Sequence, residues 1–302
     1  AGDTFLAVGV AINPQAAAQC IQDYQRSVMF IRGVYAALKD LRSRQASSKL
    51  RILYAGCGPF ATQLLPLLHK FDASELDVTL LDIHQESLDS VAQLIHRMGL
   101  QDYAIKLVKG DATEYQHQEQ LDLILAETMQ KSLEQEPQVA VTTNLSVQLD
   151  QAGIFIPENI EVELCLGHLD KELALLEEGG EIDPYSLSQS GERVYLARLI
   201  SLTPDLGKKL HGEITKRFEA DIEKTEIEKQ DIVIPDVADL ESYDAMLLTR
   251  IKIYQHYQLG DYDSDISLPQ RCGELSPLTK KNVYSAHYQL AQYPRFVLTR
   301  LT

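Results

Sequence analysis

Along the first fifty residues, Ile21, Tyr24, Val28, Ile31, Tyr35, Leu38 and Leu41 recur at steps of three and four. That spacing predicts one long amphipathic helix, with Asp23, Arg26 and Phe30 on a second face that must meet something else. From residue 50 the pattern changes. LRILYA, DVTLLD, YAIKLV, LDLILAE and GIFIP predict strands, and ATQLLPLLHKF and HQESLDSVAQLIHRM predict helices between them. Strands alternating with helices imply a mainly parallel sheet covered on both faces, with ligands at the carboxyl ends of the strands. From about residue 157 the alternation is lost. ENIEVELCLGHL, ERVYLARLISL, YDAMLLTRIKIYQHYQL, NVYSAHYQLAQ and PRFVLTRL are strand-like, and Thr249, Ile251 and Ile253 alternate with Arg250, Lys252 and Tyr254. That is the pattern of a sheet with one wet face. The chain therefore divides into a helical segment (1–49), an α/β domain (50–156) and a β-rich barrel or sandwich (157–302), with a helix expected over 206–220.

Charge changes this picture more than overall composition does. The formal net charge is −16, which disfavours nucleic acid as a partner and favours a cationic or neutral small molecule or peptide. No apolar run approaches the roughly 18 residues of a membrane span. The beginning lacks a basic signal-peptide region, which predicts a cytoplasmic protein with no membrane partner. Cys20, Cys57, Cys165 and Cys272 are too scattered for a disulfide framework or a metal site and read as buried thiols.

Candidate chemistry collects at the predicted strand ends. The first strand runs into Ala55-Gly56-Cys57-Gly58-Pro59, and a helix is expected directly after it. Glycines there let the backbone approach a nucleotide, and a helix amino-terminus would add positive dipole. Asp82 ends the second strand, where a carboxylate can accept from two ribose hydroxyls. Gly110-Asp111-Ala112 follows the third, at a position suited to an adenine amino group. Glu127 ends the fourth. Gly56-x-Gly58-x-x-Ala61 also satisfies the relaxed dinucleotide fingerprint, so a nicotinamide enzyme competes with other nucleotide-type cofactors at this point.

Taken together, the glycine turn and the acids at three successive strand ends resemble the S-adenosylmethionine-dependent methyltransferases with a Rossmann-like domain. Tyr54 stands where that family usually carries an acid, and Phe60 where a third glycine is common. Three further segments resemble the protein arginine N-methyltransferases. Asp23-x-x-Arg26-x-x-x-Phe30 is similar to their Asp-x-x-Arg-x-x-x-Tyr pattern, which implies that Arg26 grips the cofactor carboxylate. Ala126-Glu127-Thr128-Met129, with Glu136 nine residues beyond Glu127, is similar to their two-glutamate loop, which implies a carboxylate pair around a substrate guanidinium. Gly153-Ile154-Phe155-Ile156-Pro157-Glu158 is similar to their exit into a β-barrel. The resemblance covers about residues 18–165, and no Thr-His-Trp segment follows. It implies S-adenosylmethionine as cofactor, bound by Arg26, Gly56, Gly58, Asp82, Asp111 and Ala112. Glu127 and Glu136 would be the catalytic pair, with Glu127 placed to accept a proton, and a homodimer is compatible with the family. A small-molecule methyltransferase on the same scaffold, a nicotinamide enzyme and a non-catalytic cofactor-binding protein are the alternatives. His256 and His287 lie in predicted strands and read as structural.

Overall fold

Two short strands, β1 (Thr4–Leu6) and β2 (Gly9–Ala11), pair as a hairpin at the start of the computed structural model, which describes residues 2–45, 48–214 and 225–301. Helices α1 (Pro14–Gln19) and α2 (Tyr24–Arg44) follow. The next elements are β3 (Leu50–Ala55), β4 (Leu76–Asp82), α3 (Gln85–Arg97), β5 (Ala104–Lys109), β6 (Leu121–Ala126), α4 (Gln138–Ser146) and β7 (Leu149–Ile156). The strands form one sheet in the order β5-β4-β3-β6-β7, every pair parallel. Every residue of β6 is buried, as a parallel strand covered on both faces must be. Parallel direction also brings the ends of β3, β4, β5 and β6 to one edge, so residues far apart in sequence can line one cleft.

The remaining elements are β8 (Asn159–Gly167), α5 (Leu169–Glu177), α6 (Pro184–Ser190), β9 (Val194–Leu202), α7 (Pro204–Ile214), β10 (Glu226–Val233), β11 (Asp244–Tyr254), β12 (Tyr257–Leu259), β13 (Gln270–Arg271), β14 (Val283–Gln289) and β15 (Arg295–Arg300). They build two antiparallel sheets, one ordered β12-β11-β8-β9 with β13 also on β11, the other β10-β14-β15. The sheets meet where the Gln230 amide of β10 donates to the Arg198 carbonyl of β9 at 2.9 Å. Their inner residues share one apolar cluster with the parallel sheet and α2. No helix among the described residues is long and apolar enough to cross a membrane.

Several expected elements differ. The buried face of α2 is Phe30, Val34, Ala37, Leu38 and Leu41, all fully buried, whereas Ile21 and Tyr24 are 50% and 76% exposed. Phe30 thus belongs to the main buried face, and Arg26 continues that face one turn toward the amino-terminus. Apolar residues sit on both sides of this helix, and packing against β11 rather than periodicity decides between them. The helix expected over 61–71 is only a 3-10 turn at Leu65–Lys70. Ala61 adopts a left-handed φ of 43°, and Pro66 removes an N–H, so regular α-helix cannot start at the glycine turn. The run 243–259 folds back as the hairpin of β11 and β12. Of the helix expected over 206–220, α7 covers the residues up to Ile214, and 215–220 lie outside the described residues. All four cysteines are free; Cys57, Cys165 and Cys272 are buried and Cys20 is half-buried.

Glycine fixes how closely α2 approaches the β-rich half. A Cβ on Gly33 would lie 2.5 Å from Cγ2 of Ile253 on β11. Gly33→Ala should therefore destabilise the protein by about 1–3 kcal/mol through overpacking. Adding Ile253→Ala should make the glycine change nearly neutral, because the two sites couple by contact. Urea unfolding of the two single variants and the double variant checks this; additive losses would contradict the contact.

Candidate functional site

The edge where the parallel strands end opens into a cleft with an empty volume of about 1040 Å³, solvent at its mouth included. That is at the upper end of the range for small-molecule sites. Arg26, Gly56, Gly58, Asp82, Asp111, Ala112, Glu127 and Glu136, the eight residues singled out in the sequence, all line it. The β1–β2 hairpin and α1 close it from above through Leu6, Ala11, Ile12 and Ala17.

The glycine turn is built for close packing. Gly56 has a φ of 69°, and a Cβ there would lie 2.4 Å from Cγ2 of Thr128. Its N–H and that of Cys57 donate to the Leu81 carbonyl at 2.9 and 3.2 Å, tying the turn to β4. Gly58, φ 62°, donates its N–H to Asp82 Oδ2 at 2.9 Å. The expected helix dipole is absent here because no α-helix follows the turn. Asp82 Oδ1 accepts from the His84 N–H at 2.9 Å, so both carboxylate oxygens are held while each keeps a lone pair. Burial pushes the Asp82 carboxyl up, and the His84 and Gly58 N–H groups oppose this. Asp111 Oδ1 accepts from the N–H and the hydroxyl of Thr113, both at 2.8 Å, which fixes the loop carrying Ala112.

Arg26 reaches the cleft from the first turns of α2. Asp23 caps that helix by accepting the Arg26 backbone N–H at 3.0 Å. Asp23 does not pair with the guanidinium; its other oxygen accepts from the Ser264 hydroxyl at 2.6 Å and the Asp265 N–H at 3.0 Å. The guanidinium instead forms an ion pair with Glu127 Oε2. Burial works against the charge on Arg26, but Glu127 outweighs it and holds the guanidinium firmly protonated. Burial raises the Glu127 carboxyl, and Arg26 pulls it back.

Glu136 comes to the same cleft through a strained loop. Between the two glutamates, Ser132, Leu133 and Gln135 take left-handed φ values of 57°, 55° and 63°, a conformation that costs non-glycine residues energy and persists only when surroundings impose it. Those surroundings are mainly the β-rich half. Thr249 Oγ1 accepts the Ser132 N–H at 2.8 Å, the Tyr288 hydroxyl donates to the Leu133 carbonyl at 2.7 Å, and the Pro294 carbonyl accepts the Gln135 N–H at 3.0 Å. Glu134 turns away to the Gln270 amide at 2.8 Å. Glu136 is 7% exposed, and burial, reinforced by Glu127, pushes its carboxyl up to about 8.

Two glutamines at the site were not singled out in the sequence. Gln138 accepts from the Thr128 N–H at 2.8 Å and donates to the Ala126 carbonyl at 3.0 Å, bracing the chain on both sides of Glu127. Gln63 donates to Glu127 Oε2 at 3.3 Å. Neither belongs to a recognisable motif; the partner of Gln63 lies 64 residues further along the chain, and those of Gln138 lie 10 and 12 residues before it. His256 and His287 do not line the cleft.

No protein-family model and no curated protein sequence matches this chain. Solved structures do. The Trypanosoma brucei PRMT1 enzyme–prozyme heterotetrameric complex with AdoHcy is similar at 12% identity, with a TM-score of 0.55 over 96% of this chain and 99% of that one. Arabidopsis thaliana protein arginine methyltransferase 10, in an open conformation, is similar at 10% identity, with a TM-score of 0.51 over 90% and 86%. The chain thus has the fold of the protein arginine methyltransferases: a Rossmann-like sheet followed by antiparallel β-structure.

The raised Glu136 carboxyl has a consequence for stability. Between its ordinary value of 4.5 and its folded value of about 8, the folded protein holds a proton that the unfolded chain has lost. Stability should therefore decline across that window as pH rises, by roughly a few kcal/mol in total. Glu136→Gln should remove this part of the decline. Urea unfolding between pH 5 and pH 9 compares the two proteins, and parallel profiles would contradict a buried, proton-holding Glu136.

Proposed function

We propose that this chain is an S-adenosylmethionine-dependent methyltransferase similar to the protein arginine N-methyltransferases, acting on a nitrogen nucleophile. In this reading residues 50–156 hold the cofactor, and residues 157–302 serve substrate binding and dimerisation. The observation that carries it is convergence: a buried guanidinium, the strand-end acids Asp82, Asp111 and Glu127, and Glu136 from the following loop share one cleft, in a fold whose Trypanosoma brucei representative is a complex with AdoHcy.

The residues present fit such a cofactor. A Cβ on Gly58 would meet only Ala17, at 3.9 Å, so the turn is open to close approach. Arg26 has five N–H donors, of which the Glu127 pair takes one, and a planar guanidinium suits a carboxylate. Asp82 would accept from the ribose hydroxyls, and Asp111 with Ala112 would border the adenine. S-adenosylmethionine, when bound, supplies a sulfonium methyl group that a nitrogen lone pair can take over, the C–S bonding pair remaining on sulfur.

The protein's own contribution is positioning and charge. Glu127 is fixed by Arg26, Gln63 and the Gln138 brace, and Glu136 by the strained loop. Two carboxylates facing one cavity favour a cation between them. That cation would lower the Glu136 carboxyl and complete the pair. When the nitrogen gains its methyl group it must shed a proton, and Glu136, titrating near neutral pH, is matched to receive it. This shifts the proton-accepting role from Glu127 to Glu136.

Transfer of labelled methyl groups from S-adenosylmethionine into a cell extract, with products separated by size, tests the reading. Wild type should label a product. Glu127→Gln and Glu136→Gln should each lose about 100-fold or more, the scale of removing a preorganised electrostatic contact. No labelled product from the wild type would overturn the methyltransferase reading. Normal turnover in Glu136→Gln beside a dead Glu127→Gln would overturn the two-carboxylate clamp.

A further inference from the structure

We infer that Gln63 is a specificity-determining residue of this cleft, selecting a cationic nitrogen that carries at least two N–H donors over one that carries none. The inference rests on the reading above that Glu127 and Glu136 face the acceptor nitrogen. Gln63 lies in the irregular stretch between the glycine turn and the 3-10 turn at Leu65. Its flanking residues Ala61, Leu64 and Leu65 are anchored in the core, and Gln63 itself is only 5% exposed. The side chain therefore cannot swing to solvent. Its Nε2 donates to Glu127 Oε2 at 3.3 Å, the oxygen that also pairs with Arg26. The reverse amide orientation would set a carbonyl oxygen against a carboxylate, so the hydrogen-bond pattern fixes which end is which.

This orientation leaves one acceptor oxygen unpaired on each of the two side chains. Gln63 Oε1 and Glu127 Oε1 are both shielded from water and have no hydrogen-bond partner. Both residues line the cleft, as does Glu136. Buried acceptors without donors are costly, and the cost is relieved by a ligand that brings N–H groups. A positive charge alone would satisfy the carboxylates but not the amide carbonyl. A guanidinium or a primary ammonium meets both demands; a quaternary ammonium meets only the first. The Gly-turn segment, read in the sequence only as a cofactor loop, would thus also reach the substrate.

Binding of ethylguanidinium and of tetramethylammonium to the full chain, each followed by calorimetry or NMR titration, tests this. Wild type should prefer ethylguanidinium. Gln63→Met, similar in length but without the carbonyl, should lose about 10- to 100-fold in ethylguanidinium affinity. Its tetramethylammonium affinity should change little, so the preference collapses. If Gln63→Met fails to fold, Gln63→Asn, which withdraws the same carbonyl by one methylene, should show the same loss. No preference in the wild type, or an unchanged preference in the Met or Asn variant, would overturn the inference. S-adenosylhomocysteine binding to the wild type, measured alongside, is a separate readout. Its failure would sink the cofactor reading, while the preference, which needs no cofactor, would still decide the role of Gln63.

Discussion

The ion pair between Arg26 and Glu127 is the constraint on which the rest of the site depends. Both side chains are nearly withdrawn from water, at 12% and 5% exposed. Removing one partner from such a pair leaves an uncompensated buried charge, which typically costs about 3–5 kcal/mol. The pair joins α2 to the end of β6, and Gln63 ties it to the glycine turn. Much of the local architecture holds these groups in register. Asp23 caps α2 and grips the Ser264–Asp265 turn. Gln138 braces the chain before and after Glu127.

The second constraint is the loop to Glu136. Three left-handed residues within the four positions 132–135 would not hold such a shape alone. Thr249 of β11, Tyr288 of β14 and Pro294 supply the hydrogen bonds that keep it. One carboxylate of the proposed clamp is thus set by the parallel sheet and the other largely by the β-rich half. The two halves also share a continuous apolar core, and at the contact of α2 with β11 a Cβ on Gly33 would meet Ile253 at 2.5 Å.

The strands of the parallel sheet were legible because each is a short apolar run between turn residues, and the strand-end acids because parallel topology sends them to one edge. Other elements left no such trace. Every residue of α4 is buried, so no polar face marks it as a helix. The face of α2 was misread because apolar residues lie on both sides, and only its packing against β11 chooses between them. The stretch 61–71 has helical periodicity, but Pro66 and the left-handed Ala61 override it. Gln63 and Gln138 could not have been found from spacing, since their partners lie 64 residues away in one case and on the preceding strand in the other.

Calorimetric titration of S-adenosylhomocysteine into the wild type and into Arg26→Ala tests the central claim most directly. The account predicts binding to the wild type, and affinity at least about tenfold weaker in the variant, because a buried carboxylate loses its charged hydrogen-bonding partner. No binding to the wild type, or equal affinity in the two proteins, would contradict it.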